Sequence, residues 1–467
     1  MDQQRLRLGL LALTQLIVAL DYNIVYVALP DIGKALGFGP SSVQWVVSAY
    51  AVGLGGLLLF GGRAVDRIGP RRMFMTGLAL YGIASLAGGL ATGAGTLIVA
   101  RAVQGAGGAL LTPATLTLIF RGFAEGSERN KALGAWGMAG CAGLAAGSLL
   151  GGVLTNYLGW SWVFYVNVPL ALVSALAAPK LLPADPARTS GSFDVPGAVL
   201  ATAGSALLVF GLASGADTGW LTLRGAGSLA VGAVLLVALL VLESRTRNPL
   251  IPLRLARSRG LATTMIVIAL YQSTLGGGYY ILVSYLQPVR GYSSLEAGLT
   301  FLPLTLVSMY GALKAAPMAM GRWGIRTTLA LSMVGTGAGI AVTAAGATSG
   351  GGFWTLLPGS VIWGLFGGVG FVTLFASAGA GVAPDEQGVA SGLTSTAKEV
   401  GGAMGLAIFV AIATGTRNQL DGLHAAGWTA AIVTVAGGLI ALVLKSPRSL
   451  SGSEKSEQSP TLEGVTQ

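Results

Sequence analysis

The stretch Gly62-Arg63-Ala64-Val65-Asp66-Arg67-Ile68-Gly69-Pro70-Arg71-Arg72 sets five charged side chains between two long apolar runs, 41–61 and 72–91. A fainter copy, Arg322-Trp323-Gly324-Ile325-Arg326, follows Arg67-Ile68-Gly69-Pro70-Arg71 at an offset of 255, again between apolar runs. Ser41-Ser42, which opens the second run, has its counterpart in Ser293-Ser294 at an offset of 252. Such spacing predicts two halves in the same orientation. Parallel repeats of this kind imply a pseudo-two-fold axis along a membrane normal and a binding site near the midplane between the halves.

Outward from that stretch, apolar runs fall at 8–29, 41–61, 72–91, 95–120, 131–155 and 160–182, then at 195–214 and 225–243. Six more follow at 262–287, 294–318, 326–347, 354–381, 387–414 and 426–445. Each approaches or exceeds the roughly 20 residues that a bilayer span needs. The composition agrees: 10% of the residues are charged, 53% are apolar, and the mean hydropathy is +0.72. A soluble domain carries about 25% charged residues, so soluble enzymes, disordered chains and disulfide scaffolds are excluded. The expected architecture is an all-α membrane protein of fourteen spans. It divides into a six-helix bundle over 1–182, two additional spans with their linkers over 183–260, a second six-helix bundle over 261–445, and a disordered cytoplasmic tail over 446–467.

Charge supports an even span count. With both termini inside, 21 of the 28 Lys and Arg fall in cytoplasmic segments. Only Lys34, Arg224, Arg290 and Arg417 fall outside, while Arg101, Lys314 and Lys398 lie within runs. One miscounted span would invert every later loop and spoil this positive-inside pattern. The net charge of +10 therefore reads as topology, and no nucleic-acid partner is expected. The first run continues past Arg5 and Arg7 to Leu29 without a small-residue cleavage site, so it reads as an uncleaved span. Cys141 is the single cysteine and excludes an intramolecular disulfide; it reads as a packing residue. His424, the single histidine, reads as an outer-loop residue and leaves little for metal or acid–base chemistry.

Four stretches resemble the major facilitator superfamily, and more narrowly its fourteen-span drug:proton antiporter group. Leu20-Asp21-Tyr22-Asn23-Ile24-Val25-Tyr26-Val27-Ala28-Leu29-Pro30 is similar to that group's first-span signature, with Asn23 and Tyr26 where Thr and Asn are usual. Gly62 to Arg72 resembles the superfamily's cytoplasmic loop motif, and its second-half copy has Gly321 where Asp66 would fall. Arg101-Ala102-Val103-Gln104-Gly105-Ala106-Gly107-Gly108 resembles the motif associated with proton coupling. Gly147-Ser148-Leu149-Leu150-Gly151-Gly152 is similar to the antiporter motif, with Ser148 in place of Pro. Gly159 to Pro169, Leu286-Gln287, Gly291-Tyr292-Ser293, Ala297-Gly298-Leu299 and Gly388 to Gly405 extend the likeness over nearly the whole chain. The resemblance implies the major facilitator fold, two six-helix bundles plus two central spans. It also implies proton-coupled export of small lipophilic or cationic compounds by alternating access.

The residues carry this reading as follows. Asp21 lies deep in its run, where a carboxylate is costly unless paired, hydrated or protonated; proton carriage is one role, a helix-packing hydrogen bond the other. Glu399 lies at similar depth in 387–414. Its neighbour Lys398 projects about 100° away on a helix and reads as poorly placed for a direct pair. That leaves Glu399 free to face a cavity, with an internal salt bridge as the alternative. Arg101 either tunes the pKa of these acids by Coulomb attraction or binds backbone carbonyls and holds its span. Gly62, Asp66, Arg67, Gly69, Arg71 and Arg72 read as gating residues, Asp66 accepting from the arginines or capping a neighbouring helix. Lys314, near a span end, reads as snorkelling.

Tyr22, Asn23, Tyr26, Gln44, Trp45, Gln104, Trp136, Tyr271, Gln272, Tyr279 and Tyr280 are candidate cavity residues, since aromatic faces suit flat or cationic ligands. Gly147, Ser148, Gly151 and Gly152 read as close helix packing. No catalytic residue, metal site or cofactor is expected, the proton gradient supplying the energy, and no phosphate-binding Gly-x-x-x-x-Gly-Lys-Ser/Thr loop is present. The expected partners are a small-molecule substrate, protons and the lipid bilayer, and a monomer is expected. The expected location is the plasma membrane. A proton-coupled importer or facilitator of a small metabolite is the first alternative. A membrane-embedded transferase is the second.

Overall fold

The computed structural model describes residues 3–38, 43, 45–185, 195–219, 221–244, 259–292, 294–380, 382–383 and 385–443. Ser41, Ser42, Gln44, Ser293, most of the two linkers in 183–260, and the 446–467 tail lie outside the described residues.

The first half contains α1 (Gln3–Leu36), α2 (Trp45–Ile68), α3 (Pro70–Gly89), α4 (Ala94–Gly122), α5 (Ser127–Leu158) and α6 (Asn167–Leu181), the last preceded by the short turn Trp162–Tyr165. An inserted pair follows, α7 (Val195–Thr218) and α8 (Ser228–Glu243), the latter entered through a π turn at Leu223–Gly227. The second half contains α9 (Arg259–Ser284), α10 (Ser294–Tyr310), α11 (Ala316–Gly346), α12 (Phe353–Gly379), α13 (Gln387–Thr414) and α14 (Gln419–Ala441). A π turn at Gly311–Ala315 carries α10 into α11, and exposed Lys314 lies in it.

Among the described residues, 11 helical segments are long and apolar enough to cross a bilayer. One of them, Glu296–Gly346, runs 51 residues, about 76 Å at 1.5 Å per residue, far beyond one span. It is interrupted at Gly324, whose φ of 75° lies in the left-handed region. Gly69, at the equivalent place in the first half, has φ 115° between α2 and α3. Both sites turn the chain back on itself with a conformation that glycine adopts without a Cβ clash. Pro70 then starts α3 at a position where a missing N–H costs nothing.

Both halves pair their helices in the same order. α1 packs on α5 as α9 packs on α13, α3 on α4 as α11 on α12, and α3 on α6 as α11 on α14. The inserted pair packs on itself, and its α7 packs on α2 and also reaches α13.

The end carrying the start of α1 and the finish of α14 is termed the near end. There the halves join: Gly62 of α2 meets Gly388 and Gly392 of α13, Gly134 of α5 meets the π turn after α10, and Gly379 of α12 meets Phe120 of α4. Toward the far end, Tyr22 and Tyr26 of α1 keep 42% and 44% exposure while lying within Coulombic range of Glu399 in the other half. The cleft between the halves is therefore shut at the near end and open toward the far end.

Candidate functional site

The polar centre of the first half is built around Asp21. Arg101 Nη1 donates to Asp21 Oδ2 at 2.7 Å, and Asp21 Oδ1 accepts from Gln104 Nε2 at 2.9 Å and from Asn167 Nδ2 at 2.8 Å. Arg101 and Gln104 stand three residues apart on α4, so one helix face presents both. Arg101 also donates from Nε to Val46 O at 2.8 Å and from Nη1 to Gln104 Oε1 at 2.7 Å, and its guanidinium lies 4.5 Å from the Tyr50 ring centroid. Gln104 Nε2 further donates to Ser85 Oγ at 2.9 Å. Asp21, Gln104, Asn167 and Ser85 are 0% exposed and Arg101 1%. A buried ion pair repays its desolvation only when the remaining donors and acceptors are filled, and here four helices supply the filling. Arg101 therefore both pairs with Asp21 and binds the backbone carbonyl of Val46. Should Asp21 become neutral, Gln104 Oε1 and Val46 O still hold the guanidinium.

At the near end, Asp66 accepts from the backbone N–H groups of Gly388 and Val389, both at 2.8 Å. It therefore caps α13, a helix of the other half, and Arg121 stands 3.7 Å away. The arginines that neighbour Asp66 in sequence do different work. Arg71 and Arg72 donate backbone N–H to Asp185 at 2.9 Å each, and Gly69 packs against that same aspartate. Arg67 lies beside Arg63. In the second half Gly321 replaces Asp66, exposed and with open space around it.

The cleft above this helix cap is lined from both halves: Gln15, Val18, Leu54, Leu58, Thr112 and Trp136 on one side, Phe371, Phe375, Ser395, Lys398 and Glu399 on the other. Trp136 stacks on Phe371 at 5.7 Å and meets Phe375 edge-on at 5.0 Å, which plugs the cleft toward the near end. Lys398 and Glu399 correct the expectation from helical angles, because they form a direct pair at 2.9 Å. Their Cβ atoms diverge, but both side chains are long enough to fold toward the same partly wetted wall.

The other cavity candidates scatter. Tyr22 and Tyr26 face the cleft, with ring centroids 5.8 Å apart. Gln104 belongs to the buried Asp21 network instead. Asn23 ties α1 to α5 by donating to Leu144 O at 2.9 Å. Trp45 packs on Phe210 of the inserted α7 at 5.2 Å. Tyr271 donates to Gly367 O at 2.6 Å, and Tyr279 stacks on Phe301 at 5.3 Å, so both serve the interior of the second half. Gln272 lies half-buried against Gly402, and Tyr280 is half-buried in the second half's core. Gln44 lies outside the described residues.

Gly147 and Gly151 press on the α1 backbone at Leu20 and Ile24, whereas Gly152 faces open space. The side chain of Ser148 is outside the description. Cys141 is partly buried in α5, within Coulombic range of Tyr271 and Tyr279. His424 corrects another expectation: it lies within α14, not in a loop, and its ring bonds Ala347 O at 2.7 Å. Asn167, Ser85 and Asp185 were not singled out from sequence. Asn167 left the one usable signal, an uncharged amide early in an apolar run.

A family model described as Major Facilitator Superfamily matches residues 11–406. The puromycin resistance protein pur8 of Streptomyces alboniger is 39% identical over 406 residues, covering 86% of this chain and 80% of that protein. The cephamycin export protein CmcT of Amycolatopsis lactamdurans is 36% identical over 447 residues, covering 92% and 89%. Among solved structures, the human organic anion transporter MFSD10 matches in fold with a TM-score of 0.73 at 14% identity, covering 94% of this chain and all of that one.

Proposed function

The chain belongs to the Major Facilitator Superfamily, and we propose that this multi-pass membrane transporter exports small lipophilic or cationic compounds in exchange for protons. Family membership removes the transferase reading: the chain is a transporter, not an enzyme. Export is favoured over import because curated relatives matched over most of their length are named for resistance and export. Fourteen spans, with both termini cytoplasmic in the plasma membrane, fit the charge asymmetry. The break at Gly324 and the 20-residue α3 and 24-residue α7, both absent from the 11 segments, support that count.

The observation that carries the coupling reading is the enclosed Asp21–Arg101 pair, an acid with a counter-ion that keeps its own fallback acceptors. In the proposed cycle, protonation of Asp21 loosens the tie between α1 and α4 without stranding Arg101. The near-end latch at Asp66 then yields, and the cleft changes the side it faces. Substrate enters between Tyr22, Tyr26 and the Lys398–Glu399 pair. No cofactor takes part, and one copy of the chain suffices.

The test is uptake of puromycin and ethidium into inverted membrane vesicles under an imposed pH gradient. Asp21→Asn, which mimics the protonated side chain permanently, is expected to keep exchange of substrate against substrate and to lose gradient-driven accumulation. Full accumulation by that variant would take the proton off Asp21. Inward flux in intact cells driven by the same gradient would favour the importer.

A further inference from the structure

The inserted pair α7–α8 is seated on α2 with no slack. A Cβ added at Gly55 would lie 2.8 Å from Val209 Cγ2, and one at Gly56 would lie 2.9 Å from Ala206 Cβ. Glycine at both positions lets the two helices approach at backbone distance, the arrangement that dispersion favours within a bilayer. On its other face the pair meets the second half. Leu59 of α2, Ala198 and Ala201 of α7, Leu239 of α8, and Val389 and Leu393 of α13 share one buried apolar cluster. Val389 is also one of the two residues whose backbone N–H Asp66 caps. The apolar cluster and the ionic latch therefore grip the same first turn of α13 from two sides.

A charge completes the picture. Glu243, the last residue of α8, is only 2% exposed. It lies within Coulombic range of Arg63, the α2 residue one turn before Arg67, which also feels Asp66 and Glu386. A buried acid at the end of an otherwise apolar helix is costly unless it answers nearby cations, and Arg63 is one cation within its Coulombic range.

We propose that the inserted helix pair is a working part of the near-end gate: it is carried by α2, holds the first turn of α13 through Ala198 and Ala201, and supplies Glu243 as the counter-charge of Arg63. The inference rests on the alternating-access reading above. When the near end opens, α2 and α13 must part. The glycine seats keep α7 with α2, so the joint that yields is the one between α7 and α13. Glu243 is a positioning residue: it acts on the gate through Arg63 and touches no substrate.

The test places spin labels on exposed near-end sites of the two halves, Glu125→Cys and Arg322→Cys, in a Cys141→Ala background, and reads the distance distribution in liposomes. Glu243→Gln is expected to raise the near-end-open fraction about two- to fivefold, the scale of one partly screened charge pair. In an Arg63→Gln background the same substitution should add nothing. Ala201→Ser, which puts a hydroxyl into the yielding joint, should shift the distribution the same way. Asp66→Asn is the control. If it opens the near end while Glu243→Gln and Ala201→Ser leave the parent distribution, the inserted pair is not part of the gate. If Asp66→Asn changes nothing either, the near-end gate itself is wrong and this inference falls with it.

Discussion

The two halves pair their helices alike and fill the space between them with opposite chemistry. Ser85, Gln104 and Asn167 surround the Asp21 pair in the first half, whereas Ile340, Trp363 and His424 line a pocket in the second. Around Asp21 the first half therefore encloses an ion pair with amides bonded to it. The second half instead packs a mostly apolar pocket walled by Ile281, Leu282, Ile340, Trp363 and His424. Where Asp21 stands on α1, α9 runs Gly276-Gly277-Gly278, and Phe409 and Trp363 press against the last two. Under the proposed coupling, the difference singles out the first half as the one to respond to a proton. An aromatic-filled bundle has one arrangement of its contacts. A bundle held by a carboxylate, a guanidinium and two amides can redistribute its hydrogen bonds when one charge changes.

The hardest blow to that contrast is Arg101→Leu. It leaves Asp21 buried without its counter-ion, a loss of about 3–5 kcal/mol when one member of a buried pair is removed. Thermal unfolding in detergent should show a large drop. The double variant Asp21→Leu with Arg101→Leu should recover most of it while remaining uncoupled. An Arg101→Leu protein as stable as the parent would mean the network is not what holds the first half together.

A smaller effect is expected at Glu399→Gln. The variant frees Lys398 from a pair only partly screened from water, a stability change of about 1 kcal/mol or less. Transport should survive with the preference for cationic over neutral compounds reduced, read as the ratio of ethidium to neutral-substrate uptake. Loss of all gradient-driven transport at Glu399→Gln, with Asp21→Asn intact, would move the coupling residue into the second half and erase the contrast.

The smallest is His424→Phe. It removes a single hydrogen bond to Ala347 O, worth about 1 kcal/mol, from a bundle otherwise packed by apolar contact. Melting temperature should fall slightly, and the dependence of uptake on the imposed pH gradient should stay that of the parent. A changed dependence would show that the second half titrates as well.

Much of this was legible in one dimension. Apolar runs longer than 18 residues state their own structure, because a backbone in lipid must satisfy its hydrogen bonds internally and a helix does so. The paired turns at Gly69 and Gly324 were legible because tight reversals favour glycine. The depth of Asp21 and of Arg101 was legible because charge in a span is rare and costly. Those are properties of a residue and its immediate neighbours along the chain.

Partnership is not such a property, and only the tertiary structure decided it. Asp66 has four arginines close by in sequence, Arg63, Arg67, Arg71 and Arg72, yet it bonds backbone N–H groups more than 320 positions away. Gln104 looked like a cavity residue and is a clamp on Asp21, since which face of α4 meets α1 depends on how four helices cross. Lys398 and Glu399 diverge on an ideal helix but meet, because long side chains reach wherever a wetted wall gives them room. Sequence determined the spans, the repeat and the costly charges, all of which follow from the bilayer and the local backbone. The fold alone determined which charge faces which, because a Coulomb or hydrogen-bond partner is chosen by distance in space, and that distance is set by packing between helices far apart in the chain.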